Sequence, residues 1–141
     1  MAKMHPYLNF DGNAEEAFNF YKSVFGGEFH EIHKMTEMPE SDKLPENERN
    51  RIMHMSLPIE DGFMLMGADI MPSYGQTHHA GNNVYLSLHP ESKEEADKLF
   101  KGLSEGGDVE MPLEEAFWGA YFGTFTDKFG IKWMINHQIK K

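Results

Sequence analysis

Asp127-Lys-Phe-Gly-Ile-Lys-Trp-Met-Ile-Asn136 is the stretch whose reading decides the fold. Asp127 to Gly130 supplies a short turn. Aromatic and β-branched residues flank it and favour a pleated surface, so Ala116 to Asn136 reads as a hairpin of two strands. Strand side chains alternate, which puts Ile131, Trp133 and Ile135 on one face and Lys132, Met134 and Asn136 on the other. The apolar face needs a covering layer, while the mixed face suits the wall of a small-molecule cavity.

Working outward, the chain repeats itself. Met4 to Phe10 reads as a strand with Leu8 and Phe10 opposed to His5, Tyr7 and Asn9. Asn13 with Glu16 forms a capping-box pattern, and Ala17, Phe20, Tyr21 and Val24 then recur at helical spacing until Gly26-Gly27. Glu28 to Met35 alternates as a strand. The stretch from Glu37 to Asn50 is too polar to order itself strongly and reads as a mobile loop or lid. Arg51 to Ile59 and Phe63 to Ala68 read as strands joined by an Asp61-Gly62 turn, with Met53, Met55, Leu57 and Ile59 opposed to His54, Ser56 and Pro58.

The second half answers element by element. Asn83 to Leu88 is a strand, Ser92 with Glu95 a capping box, and Ala96, Leu99, Phe100 and Leu103 a helix face ended by Gly106-Gly107. Glu15-Glu16-Ala17 matches Glu94-Glu95-Ala96, and Phe63-Met-Leu-Met66 matches Ile131-Lys-Trp-Met134. The spacing is too long for a solenoid unit, so the pattern predicts an α+β fold of two tandem strand-helix-three-strand modules: module one over 1–69, a linker over 70–82 and module two over 83–141.

Composition bounds the chemistry. A chain of 141 residues suits one domain or two small repeated halves. The absence of a long apolar run and of a signal-like start argues against membrane spanning and export, and so for a cytoplasmic protein. A net charge of -10 with scattered Lys and Arg disfavours nucleic acid as a partner. With no cysteine, any metal must be held by His, Asp or Glu. Glu15-Glu16 and Glu94-Glu95 suit helix starts, and Glu114-Glu115 reads as part of a loop before the hairpin.

The duplicated βαβββ module resembles the vicinal oxygen chelate superfamily, which includes glyoxalase I, extradiol dioxygenases and the fosfomycin- and bleomycin-resistance proteins. The resemblance is specifically to its PhnB-like branch, often labelled 3-demethylubiquinone-9 3-methyltransferase-like. It is carried by Pro6-Tyr-Leu-Asn-Phe-Asp-Gly-Asn-Ala-Glu-Glu-Ala17, Phe20-Tyr-Lys-Ser-Val-Phe-Gly-Gly27, Met64-Leu-Met66 with Asp69, Gly106-Gly107, Phe117-Trp-Gly119 and Asp127 to Asn136. It implies two modules pairing into a curled mixed sheet around a cavity, the glyoxalase/bleomycin resistance/dioxygenase fold, assembled as a homodimer around a small-molecule ligand. Methyl transfer is not expected, because no strand is followed by the Gly-rich turn and helix of a doubly wound nucleotide-binding sheet.

In metal-dependent members, His and Glu on the first and last strands of each module hold the ion. Here His5 fits the first place, but Met64, Leu65, Met66 or Gly67, then Asn83 and Met134, stand at the others. Thioether and amide groups are poor partners for divalent ions, so no metal or other cofactor is expected. The alternative is a metal-dependent lyase or dioxygenase with a divalent ion on a non-standard set that includes His5 and His54. The ligand-lining candidates are His5, Tyr7, Asn9, His54, Ser56, Met64, Met66, Asn83, Tyr85, Trp118, Tyr121, Met134 and Asn136. Tyrosines would bond a polar group, methionines would form an adaptable apolar wall and Trp118 would close over a planar ligand. No catalytic residue is assigned, and a purely structural or partner-binding protein is the third reading.

Overall fold

A computed structural model describes residues 2–60 and 63–139. The chain divides into two compact units, Met1–His79 and Ala80–Lys141. The first unit runs β1 (Tyr7–Phe10), α1 (Ala14–Phe25), β2 (Glu31–Lys34), β3 (Ile52–Glu60) and β4 (Phe63–Asp69). The second runs β5 (Leu86–Leu88), α2 (Lys93–Ser104), β6 (Asp108–Glu115), β7 (Ala120–Thr126) and β8 (Lys132–Gln138). Each is a βαβββ module with a four-stranded sheet, ordered β1-β4-β3-β2 and β5-β8-β7-β6. The first strand of each module pairs parallel to the last, and the other pairs are antiparallel. The fold is α+β as the repeat predicts, built on two separate open-edged sheets.

Helix packing fixes which face of each sheet is apolar. A Cβ added to Gly67 would lie 2.7 Å from the Phe18 ring, so Gly67 and its ladder partners Leu8 and Met55 face α1. Leu8, Phe10, Met55, Leu57 and Leu65 are buried there with Ala14, Ala17, Phe18 and Tyr21 of the helix. Phe18, rather than the expected Phe20 and Val24, completes the helix face, because 3.6-residue periodicity carries it round beside Ala14 and Tyr21. In the second unit a Cβ on Gly123 would lie 2.7 Å from Phe100, which places Gly123, Phe125, Trp133 and Ile135 under α2.

Several local expectations are corrected. Asn13 makes no side-chain cap; the Asp69 carboxylate at the end of β4 instead accepts from Gly12 N and Ala14 N, both at 2.9 Å, and from Ile52 N at 2.9 Å. In α2 the expected Ser92 cap forms, with Glu95 N donating to Ser92 Oγ at 3.1 Å. The stretch from 37 to 50 is folded into single 3-10 turns, pinned where the buried Glu48 carboxylate accepts from Ser73 N and Ser73 Oγ. Both first strands are shorter than their alternation suggests. Glu114 and Glu115 belong to β6, and Ala116 to Gly119 is the turn between β6 and β7, closed by Gly119 N donating to Ala116 O with Gly119 at φ 90°. The hairpin turn over 127–130 stands where expected: Phe129 N and Ile131 N donate to Asp127 Oδ1, and Trp133 Nε1 donates to Oδ2. The Asp61-Gly62 turn lies outside the described residues.

Candidate functional site

The chemistry-bearing residues gather on the sheet faces turned away from the helices. In the first unit, ladder register sets Tyr7, Met66, Ser56 and Glu31 in one row across all four strands. The next row holds Asn9, Ala68, His54 and His33, by the pairings Asn9 with Ala68 and His33 with His54 and by the β3–β4 register. Alternation keeps these eight residues on one face.

Within this array Tyr7 and His54 stack at 5.7 Å between ring centroids and 27° between planes, and the Tyr7 hydroxyl lies 3.3 Å from His54 Nδ1. Partial burial raises the Tyr7 pKa above the ordinary phenol value. Ser56 is buried, at 1% exposure, and its Oγ has no hydrogen-bond partner among the described residues. A buried hydroxyl without a partner carries a desolvation cost, and Ser56 sits beside the adaptable thioether of Met66.

At the edge of the array, His33 lies between two carboxylates, its Nδ1 3.0 Å from Glu37 Oε1 and its Nε2 3.0 Å from Glu31 Oε2. The bonds to Glu37 and Glu31 raise its pKa, and the same contacts lower both carboxylates. Neither Glu31 nor His33 is among the sequence candidates. The signal for them is their spacing of two on an alternating strand, which puts both on one face.

Of the other candidates, His5 Nδ1 accepts from Met64 N at 3.1 Å, one rung beyond Tyr7, where Met66 N also donates to Pro6 O. Met64 pairs with Pro58, so His5 and His54 stand four residues apart along the strands, about 13 Å, and two strands across, about 10 Å. They cannot share one ion. Among the described residues no group of three or more His, Asp or Glu is positioned to hold a metal. With methionine at Met64, Met66 and Met134, the residues present do not fit the divalent ion that the superfamily implies.

In the second unit, Ser87, Met134, Thr124 and Met111 form the row equivalent to Tyr7, Met66, Ser56 and Glu31. Asn136 pairs with Phe122, and Trp118, half exposed in the β6–β7 turn, stacks edge-on against Phe122 at 5.4 Å. Glu110, the extra residue at a register shift in β6, accepts from Lys132 Nζ, from the Tyr85 hydroxyl at 2.7 Å and from Thr126 Oγ1 at 3.1 Å. These bonds, that of Lys132 first, hold its carboxyl down to about 2. Tyr121 lies on the other face, donating to Asp97 of α2 at 2.6 Å, and Asn83 is exposed and precedes β5.

Comparison with known proteins accords with this architecture. Residues 2–136 match the model of the family described as 3-demethylubiquinone-9 3-methyltransferase. The crystal structure of protein PA1353 from Pseudomonas aeruginosa is 38% identical with a TM-score of 0.85, over 98% of both chains. A PhnB protein from Bacillus cereus is 27% identical with a TM-score of 0.75, over 96% of this chain and 99% of that one. A glyoxalase/bleomycin resistance protein from Albidiferax ferrireducens T118 shares the fold at 19% identity and a TM-score of 0.63, over 94% and 95% of the two chains. The repeat, the two mixed sheets and these likenesses agree: the chain belongs to the 3-demethylubiquinone-9 3-methyltransferase family and has the fold of a glyoxalase/bleomycin resistance protein.

Proposed function

We propose that this protein binds a small molecule on the face of its first sheet turned away from α1, over Tyr7, His54, Ser56 and Met66, without the superfamily's metal tetrad. The observation that carries this reading is the buried Ser56 hydroxyl, which lacks a partner in a row of otherwise well-placed polar and thioether side chains. A ligand atom there would remove a desolvation cost that the protein otherwise bears. In the same reading the protein is cytoplasmic and a homodimer, the assembly that the resemblance implies. Among the described residues no helix is long and apolar enough to cross a membrane.

Methyl transfer is not part of the proposal. Each sheet has a single parallel pair, unlike the doubly wound sheet on which a methyl-donor nucleotide typically sits. A metal-dependent lyase or dioxygenase is not favoured either, because the strand register separates His5 from His54.

Two measurements test the reading. Protein purified without added metal is expected to carry no stoichiometric ion in elemental analysis; one tightly held ion per chain defeats the metal-free site. In a thermal-shift screen of ring-bearing small molecules, a hit on the wild type should vanish in Ser56→Ala and Tyr7→Ala. Hits indifferent to both substitutions would move the site elsewhere.

A further inference from the structure

Resting on that site, we propose that its ligand is a cationic organic amine carried on a planar or apolar body. The paired positions of the face, Tyr7, Met66, Ser56 and Glu31 in one row and Asn9, Ala68, His54 and His33 in the next, include no Lys or Arg. The cations nearest in sequence are engaged elsewhere. Lys34 Nζ lies 3.7 Å from Glu15, and Arg51 donates to Asp11 and to Ile70 O, each at 2.9 Å.

Two carboxylates and no Lys or Arg stand at the edge of the array. Glu31 and Glu37 share the imidazole of His33, with His30 Nε2 3.9 Å from Glu31. The array therefore keeps negative charge while His33 is protonated, and more once it is neutral. The chain's net charge of -10 draws cations and repels anions at longer range.

Three further features fit the body of such a ligand. Tyr7 is half exposed and presents a ring edge or face to a cation or to a second ring. Met66 supplies a deformable apolar floor next to it. Ser56 Oγ, a buried hydroxyl with no partner in the middle of the row opposite Glu31, would offer one hydrogen bond to a ligand that displaces the side chains covering it. An ammonium group beside Glu31, a ring against Tyr7 and Met66, and a polar atom or N–H on Ser56 would use each of them. An anionic ligand would meet uncompensated carboxylates in the same place.

Three probes with one ring and three charges decide the matter: benzylamine, benzyl alcohol and benzoate, titrated by ligand-observed NMR. Benzylamine should bind tightest and benzoate weakest. Glu31→Gln should weaken benzylamine about fivefold, as expected for a partly exposed ion pair, and bring it level with the alcohol. The preference should shrink at about 1 M salt, where the Debye length is about 3 Å. Ser56→Ala should weaken all binding on this face, and urea unfolding of each variant checks that it is folded.

Benzoate bound as tightly as benzylamine, or an amine preference that survives Glu31→Gln, overturns the amine assignment. If the probes still lose binding in Ser56→Ala, the small-molecule site stands without it. If none of the three binds, or binding ignores both Ser56→Ala and Tyr7→Ala, the site and the amine fall together.

Discussion

Met66 and Met134 hold the same place in the two sheets. Each pairs with the first strand of its module on one side, at Tyr7 or Ser87, and with a hydroxyl residue on the other, at Ser56 or Thr124. Around this shared centre the modules finish differently. In the second, Glu110 takes hydrogen bonds from Lys132, Tyr85 and Thr126, and Phe122 is covered edge-on by Trp118. In the first, the contact between Tyr7 and His54 is long at 3.3 Å, and Ser56 Oγ has no partner. The second module thus satisfies Glu110 internally, whereas the first leaves the buried Ser56 hydroxyl without a partner.

The buried aspartates divide in a similar way, and they give the largest expected effect. Asp69 gathers Gly12 N, Ala14 N and Ile52 N, which joins the end of β4 to the start of α1 and the start of β3. Asp127 serves its own turn and Trp133. Asp69→Ala strands three backbone donors, two of them fully buried, and should cost about 3 kcal/mol or more in urea unfolding. Asp127→Ala should cost less, because Phe129 N and Ile131 N are only partly buried and can turn to water, although it also strands the buried Trp133 Nε1. A larger loss at Asp127 would show that the hairpin, rather than the helix start, is the weaker joint.

Next in size is Ser56→Ala, which removes a buried hydroxyl without a partner. The expected result in the same experiment is unchanged stability or a gain of up to about 1 kcal/mol, accompanied by loss of ligand. Most buried truncations destabilise, so a gain in stability paired with lost binding separates a recognition residue from a packing one. A loss of 1 kcal/mol or more would mean that Ser56 is structural, and the contrast with the second module would shrink.

These particulars also explain what could be read in the sequence. Alternation and the paired Gly-Gly stops carried the repeat, because periods of 2 and 3.6 are local properties of the chain. His54, Ser56, Tyr7 and Met66 came out on one face for the same reason. Asp69 was legible only as a motif residue, since the donors it serves lie 17, 55 and 57 positions away. The stretch from 37 to 50 read as unstructured because its anchor is a single buried glutamate bound to Ser73, and composition does not reveal which of several acidic residues turns inward. The register shift between Val109 and Met111 put the Glu110 network beyond pattern reasoning, and of the Glu31–His33–Glu37 clamp only Glu31 and His33 share a strand, Glu37 lying in the turn that follows. Tyr121 was placed with the lining residues as a tyrosine able to bond a polar group; its bond to Asp97 sets it on the other face.

The smallest effect is in pH dependence, and it sharpens the comparison most. His33 has a raised pKa through Glu37 and Glu31, so its contribution is complete below the ordinary histidine value of about 6.5 and is lost as pH rises through the raised one. Glu31 and Glu37 are lowered by the same contacts, so they contribute above the usual carboxylate range and lose that contribution as pH falls below it. The clamp in the first module therefore works in a window closed on both sides. In the second module, Glu110 is held at about 2 and Lys132 is raised above its ordinary value, so that pair persists from acid well into the alkaline range. Between about pH 7 and 10 only the first module's clamp should weaken. His33→Gln should flatten the fall of the melting temperature across that interval, and Glu110→Gln should leave the fall in place while flattening the acid limb as pH drops toward 2. The His33 clamp is the more exposed of the two, Lys132 and Glu110 being partly covered, so its effect should be the smaller and fade more with added salt. If Glu110→Gln altered the alkaline limb instead, the two faces would share one electrostatic fate, and the division between a self-satisfied module and a receptive one would have to rest on Ser56 alone.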